Sequence, residues 1–165
     1  MAKDQSFDVV SQVDLQEVDN AVQQTAKEIT QRYDLKGTGS AVSFDRAAGT
    51  VTLSAPSDFV LGQVKDILDG KLVRRSIDLK AVEWGKVEDA SGGSARRTGT
   101  IVNGIDAEIA RRINKEVRDQ KFKVKVQIEG DKLRVFSPSR DELQAVIAFI
   151  KERDYGIPLQ FVNYR

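Results

Sequence analysis

Lys132–Ile150, KLRVFSPSRDELQAVIAFI, has a diverged second copy in the same chain. Moved back 82 residues, so that Pro138 falls on Pro56, it lies on Thr50–Leu68, TVTLSAPSDFVLGQVKDIL. Ser139 then meets Ser57, Leu143 meets Leu61 and Val146 meets Val64. Each copy opens with alternating apolar residues (Val51, Leu53, Ala55; Leu133, Val135), as a half-buried strand requires. Each breaks at Pro-Ser and passes into helical spacing. Ser139-x-x-Glu142 reads as a capping box, in which the serine takes a free amide and the glutamate reaches back to the cap. Ser57 caps the first copy, and Asp58 sits in its first turn, where the helix dipole favours it. A strand–corner–helix unit repeated at half the 165-residue length points to duplication.

Working outward, the first half reads as follows. Ser6–Ser11 is strand-like, with Phe7 and Val9 on one face. Asp14 caps a helix whose apolar stripe runs Leu15, Val18, Val22, Ala26, Ile29 and Tyr33. Ala41–Asp45 and Thr50–Ala55 flank a turn at Ala47-Ala48-Gly49, and the Ser57 helix extends to about Arg75. Ile77–Trp84 alternates as a strand. Glu88–Ser94, EDASGGS, is the most linker-like stretch and marks a boundary between residues 1–88 and 95–165, with 88–95 as linker.

The order then recurs. Thr98–Asn103 reads as a strand and Asp106–Asp119 as a helix with Ile109, Ile113 and Val117 inward. Phe122–Glu129 and Lys132–Ser137 form a hairpin, Ser139–Arg153 a helix and Leu159–Tyr164 a last strand. Each half is β-α-β-β-α-β, the ferredoxin-like order. The expected fold is α+β: two tandem ferredoxin-like domains, each a four-stranded antiparallel sheet with both helices on one face.

Composition narrows the chemistry. With 40 % hydrophobic residues the chain can bury two small cores. No 18-residue apolar run exists and MAKDQS lacks an apolar leader core, so a cytoplasmic protein without a membrane partner is expected. The absence of histidine removes Ser-His-Asp and Cys-His catalysis and a His base, and the absence of cysteine removes disulfides. Gly99-x-x-x-x-Gly104 has P-loop spacing, but Ile105-Asp106 stands where lysine and a hydroxyl would be needed. Gly37-Thr38-Gly39 lacks the third glycine of a dinucleotide loop. No pair of carboxylates is forced together by spacing, so neither an enzyme nor a cofactor is expected.

Net charge is +1, unevenly spread. Residues 1–95 hold 11 Lys/Arg against 15 Asp/Glu, whereas 96–134 hold 11 against 6. Strand parity aims Lys123, Lys125 and Gln127 from one strand, and Lys132, Arg134 and Phe136 from the next, at the face away from the helices. Cations beside an amide and a ring suit phosphates and a stacked base. Lysines on a sheet also guard against aggregation without any ligand. Further candidates are Lys71, Arg74 and Arg75, which also complement a helix C-terminus. Arg96 and Arg97 flank the Gly-Gly stretch, and Tyr164 and Arg165 end the chain.

The segments SFDVVS (6–11), VDLQE (13–17), KVKVQIEGD (123–131), SRDELQAV (139–146) and Gln160-Phe161 resemble the YajQ family of bacterial proteins over essentially the whole chain. The resemblance implies two ferredoxin-like domains that exchange their N-terminal strands, with residues 6–11 completing the second sheet and 98–103 the first. It also implies binding of a nucleotide (GTP, ATP or cyclic di-GMP) or single-stranded RNA. The expectation is a nucleotide- or nucleic-acid-binding protein without catalytic activity, using basic residues on the second half's sheet and at the cleft between domains. Two alternatives stay open: a cyclic di-GMP effector acting through a transcription regulator, and a protein-interaction scaffold.

Overall fold

The computed structural model describes residues 4–165. The elements of the first part are β1 (Gln5–Val10), α1 (Leu15–Gln31), β2 (Ala41–Asp45), β3 (Thr50–Ala55), α2 (Asp58–Arg74), β4 (Val82–Trp84) and β5 (Glu88–Asp89). They are followed by β6 (Ala95–Ile101), α3 (Ala107–Asp119), β7 (Lys125–Glu129), β8 (Lys132–Ser137), α4 (Arg140–Lys151) and β9 (Gln160–Val162). Two compact units result: residues 4–12 with 103–165, and residues 13–102.

The first unit contains the antiparallel sheet β7-β8-β1-β9. β1 pairs with β8 through Phe7 opposite Val135 and Val9 opposite Leu133, and with β9 through Val9 opposite Phe161. Those residues share one parity, so Phe7, Val9, Leu133 and Val135 are buried against Ala110, Ile113 and Val117 of α3 and Leu143, Val146 and Ile150 of α4. Phe161 meets Phe7 edge to face at 6.0 Å.

The second unit contains the sheet β2-β3-β6-β4, with β5 added beside β6. Its core joins Val51, Leu53 and Ala55 of β3 to Val18 and Val22 of α1 and Leu61, Val64 and Leu68 of α2. Gly99 lies opposite both Val51 and Trp84. A Cβ there would stand 2.5 Å from Val82 Cγ1 and 2.8 Å from Trp84 Cε3, so only glycine lets the indole cross β6. The fold is thus α+β with two ferredoxin-like units, and the strand N-terminal to each half lies in the other half's sheet.

The caps read from sequence are in place. Asp14 accepts from the Gln16 and Glu17 amides, Ser57 from Val60 and Ser139 from Glu142; Asp106 caps α3 in the same way, through the Ile109 amide. The capping box is only half formed. The Ser139 amide donates to the hydroxyl of buried Ser137 (3.1 Å), which itself donates to the Lys123 carbonyl (2.9 Å).

Five expectations are corrected. The 88–95 stretch is no linker: β5 pairs with the start of β6, and Ser91–Gly93 is a tight turn with Gly92 and Gly93 at positive φ. The chain leaves the second unit at Val102, not near Glu88. Ile77–Trp84 is strand only from Val82, because Asp78 caps a short 3₁₀ turn at Leu79–Ala81. Tyr33 lies past the end of α1 and is fully exposed (101 %) rather than part of the apolar stripe. The 122–129 strand begins at Lys125.

Because Phe7 fills the core between β8 and the helices α3 and α4, Phe7→Ala should cost about 3–5 kcal/mol. Amide exchange is the direct check: protection should fall in β8 and α4, although Phe7 lies in the first half of the chain. Selective loss in β3 and α2 would contradict the pairing.

Candidate functional site

The face of β7-β8-β1-β9 away from the helices carries the residues that strand parity placed there. Register sets Lys125 opposite Phe136, and Phe136 opposite Ser6. The adjacent row runs Gln127, Arg134, Asp8 and Val162. Lys123, Lys125 and Gln127 are exposed and Phe136 is half-buried. Neither Lys123 nor Lys125 has an ion pair among the described residues.

Arg134 and Lys132 are committed elsewhere. Arg134 Nε donates to Asp8 Oδ1 at 2.8 Å, and Nη2 approaches Oδ2 at 3.4 Å. Asn163 Nδ2 donates to the same Oδ2 at 2.8 Å, and Lys132 Nζ stands 3.5 Å away. Arg134 Nη1 is also 3.6 Å from Glu129. Only 1 % of the Asp8 side chain is exposed. The bonded Arg134 guanidinium, helped by the Asn163 amide and Lys132 against the cost of burial, holds the carboxyl down at about 2. Asn163 adopts a left-handed backbone, φ 57, which Asn tolerates better than most residues. Arg134 is therefore one half of a buried pair and not an open phosphate ligand.

The C-terminal candidates form a separate place. Tyr164 is 61 % exposed, with its ring 6.2 Å from Phe7, and Arg165 exchanges backbone hydrogen bonds with Ser6. With Arg140, Gln144 and Gln5 they line a cleft of about 210 Å³ beside the first turn of α4.

Most basic candidates of the second unit hold its fold together. Lys71 bonds Glu28 at 2.9 Å and Arg75 bonds Glu17 at 3.1 Å, joining α2 to α1. Lys71 draws the Glu28 pKa below the usual carboxylate range, with Arg32 and Arg74 adding to the field. Arg74 is exposed. Arg96 reaches Glu88 at 3.4 Å. Arg97 donates to the Gly85 carbonyl at 2.7 Å and lies 5.7 Å from the Trp84 ring, which faces Lys65 at the same distance.

Sequence reasoning missed a basic stripe on α3. Arg111, Lys115 and Arg118, spaced four and three apart, share one helix face, are exposed and have no ion pair among the described residues. Their neighbour Arg112 instead bonds Glu116 at 3.1 Å and stacks on Tyr155 at 4.8 Å. The i, i+4, i+7 spacing was readable once the inward positions had been assigned.

Fold and charge define an α+β protein of two split-βαβ units, one of them with a cationic surface on its sheet and on one helix. The chain belongs to the YajQ-like family: the family model described as "Nucleotide-binding protein YajQ-like" matches residues 5–165. It is 50 % identical to a protein of Alkaliphilus oremlandii over the full length of both chains. It is 49 % identical to one of Acidithiobacillus ferrooxidans, covering 97 % of this chain and 98 % of that one. A Bacillus cereus protein is 46 % identical over the full length of both. All three carry the name nucleotide-binding protein.

The Asp8 pair has a pH signature. Its folded pKa lies below the ordinary 3.8, so the charge stabilises the fold above that value, and the contribution fades as pH falls toward 2. A shift of this size corresponds to about 2 kcal/mol. Urea unfolding of the wild type and of Asp8→Asn should differ by about that amount at neutral pH. The gap should narrow between pH 4 and 2; a gap independent of pH would refute the charged pair.

Proposed function

We propose that the chain binds a nucleotide or a single-stranded nucleic acid on the outward face of β7 and β8, without performing chemistry on it. The observation that carries this reading is Lys125, exposed and without an ion pair among the described residues, standing directly across from Phe136. A phosphate meets a lysine without displacing any carboxylate, and the neighbouring ring offers a base a stacking surface. Lys123 lies two residues along the same parity, and Gln127 supplies a donor and an acceptor for a base edge. The Asp8–Arg134–Asn163 cluster then has a supporting role, fixing the strands on which these groups stand. The relatives' shared name, nucleotide-binding protein, agrees with this assignment.

The test is fluorescence anisotropy of a labelled single-stranded RNA at low and near-physiological salt, followed by competition with GTP, ATP and cyclic di-GMP. Binding should weaken with salt. Lys123→Ala/Lys125→Ala should lower both the affinity and the salt slope, the latter by roughly 1–1.5 units for two lost phosphate contacts. Phe136→Leu should weaken binding with little change in slope, because stacking releases no counterions. Unchanged affinity in the double variant at both salts would remove this face from consideration. Displacement by cyclic di-GMP at low concentration would make the ligand a dinucleotide.

A further inference from the structure

On the helix side of the same sheet, α3 and β7 enclose a groove that the proposed nucleotide face does not use. Asn114, Val117 and Arg118 form one wall, and Phe122, Val124 and Val126 the other, around a cleft of about 340 Å³. The groove continues along the basic stripe past Arg111 and Lys115, where Asp119 is the only acid among the lining residues. Phe122 is fixed edge to face against Phe149 of α4 at 5.7 Å. Ile128, on the same parity as Val126, is 42 % exposed at the end of the strand.

β7 is an edge strand, paired only with β8 among the described residues. Glu129 and Lys132 face each other across the two-residue loop Gly130-Asp131, with Gly130 at φ 62, and so form the hydrogen-bonded pair that closes the hairpin. By alternation, the backbone groups of Gln127 and Lys125 point at β8, whereas those of Val126 and Ile128 point at the open edge. The Lys123 carbonyl, bonded by the Ser137 hydroxyl, keeps the same phase.

We propose that this groove takes an extended, acidic peptide segment of a partner protein, added as a further strand on the open edge of β7. The peptide backbone would pair with Val126 and Ile128. Its inward side chains would be apolar, lying on Phe122, Val117 and Val126, and acidic residues would meet Arg111, Lys115 and Arg118. The charge and the open edge select this occupant over two others. A second copy of the chain paired edge to edge about a two-fold axis would bring its own Arg111, Lys115 and Arg118 stripe against this one, and like charges repel. A nucleic acid has no use for an edge of alternating amides and carbonyls, and the Phe122 ring is already packed on Phe149.

The experiment uses the full chain and a labelled ten-residue peptide of alternating glutamate and valine, measured by anisotropy, with amide exchange recorded by NMR. Saturable binding should slow exchange at Val126 and Ile128 while leaving Lys125 and Gln127 unchanged. Arg111→Glu/Lys115→Glu/Arg118→Glu lies on an exposed face, so its unfolding midpoint should match the wild type. Its affinity should fall by about tenfold or more. The same peptide N-methylated at alternate residues, which cannot pair with a strand, should lose binding. Equal binding of the methylated peptide would reduce the effect to charge alone and overturn the proposal. So would an absence of saturable binding, protection confined to Lys123 and Lys125, or displacement from the α3 stripe by single-stranded RNA.

Discussion

The antiparallel seam between β1 and its two neighbours, β8 and β9, is the constraint on which the first unit rests. Without β1, β8 and β9 would have no common neighbour, and the core would lose Phe7 and Val9 from its centre. The seam has two chemically different sides. On the helix side it is held by buried apolar area and ring packing among Phe7, Phe161 and Tyr164. On the other side it is held by Asp8, which gathers Arg134, Asn163 and Lys132 around one carboxylate. Removing one partner of such a pair leaves an uncompensated charge, so the cluster constrains register as well as contributing energy.

That cluster also sorts the cations. Arginines and lysines that meet a carboxylate within the fold are already neutralised: Arg134 by Asp8, Lys71 by Glu28, Arg75 by Glu17 and Arg112 by Glu116. Cations without a carboxylate partner among the described residues keep their field for a ligand, and two sets of them stand on the sheet and helix of the first unit. Lys123 and Lys125 stand on the outer sheet face beside an amide and a ring. Arg111, Lys115 and Arg118 stand above an apolar groove and an open strand edge. The two settings favour different ligands because a base stacks on a ring, whereas an extended backbone pairs with amides and carbonyls.

Much of this was readable from local pattern. The duplicated corner located β3 with α2 and β8 with α4, and the Asp14, Ser57 and Ser139 caps all formed where side-chain type and position indicated. Outward parity on β7 and β8 was also right. What misled was composition read without its partners. EDASGGS has the residues of a linker, yet it is the connection of a hairpin whose glycines supply positive φ. Arg134 reads as a free cation until Asp8, 126 residues away, is placed beside it.

The sequence by itself determined the periodicities, the caps, the two-fold repeat and the excess of positive charge in residues 96–134. Each of these depends on residues within a turn or a strand of one another, or on simple addition. Only the tertiary structure decided which strand completes which sheet, and hence which charges are cancelled. Antiparallel pairing is indifferent to separation along the chain, and an ion pair forms wherever two groups come within about 4 Å. A carboxylate at position 8 can therefore neutralise an arginine at 134, while the lysine at 125 and the arginine at 118, closer in sequence to several acids, have no ion pair among the described residues.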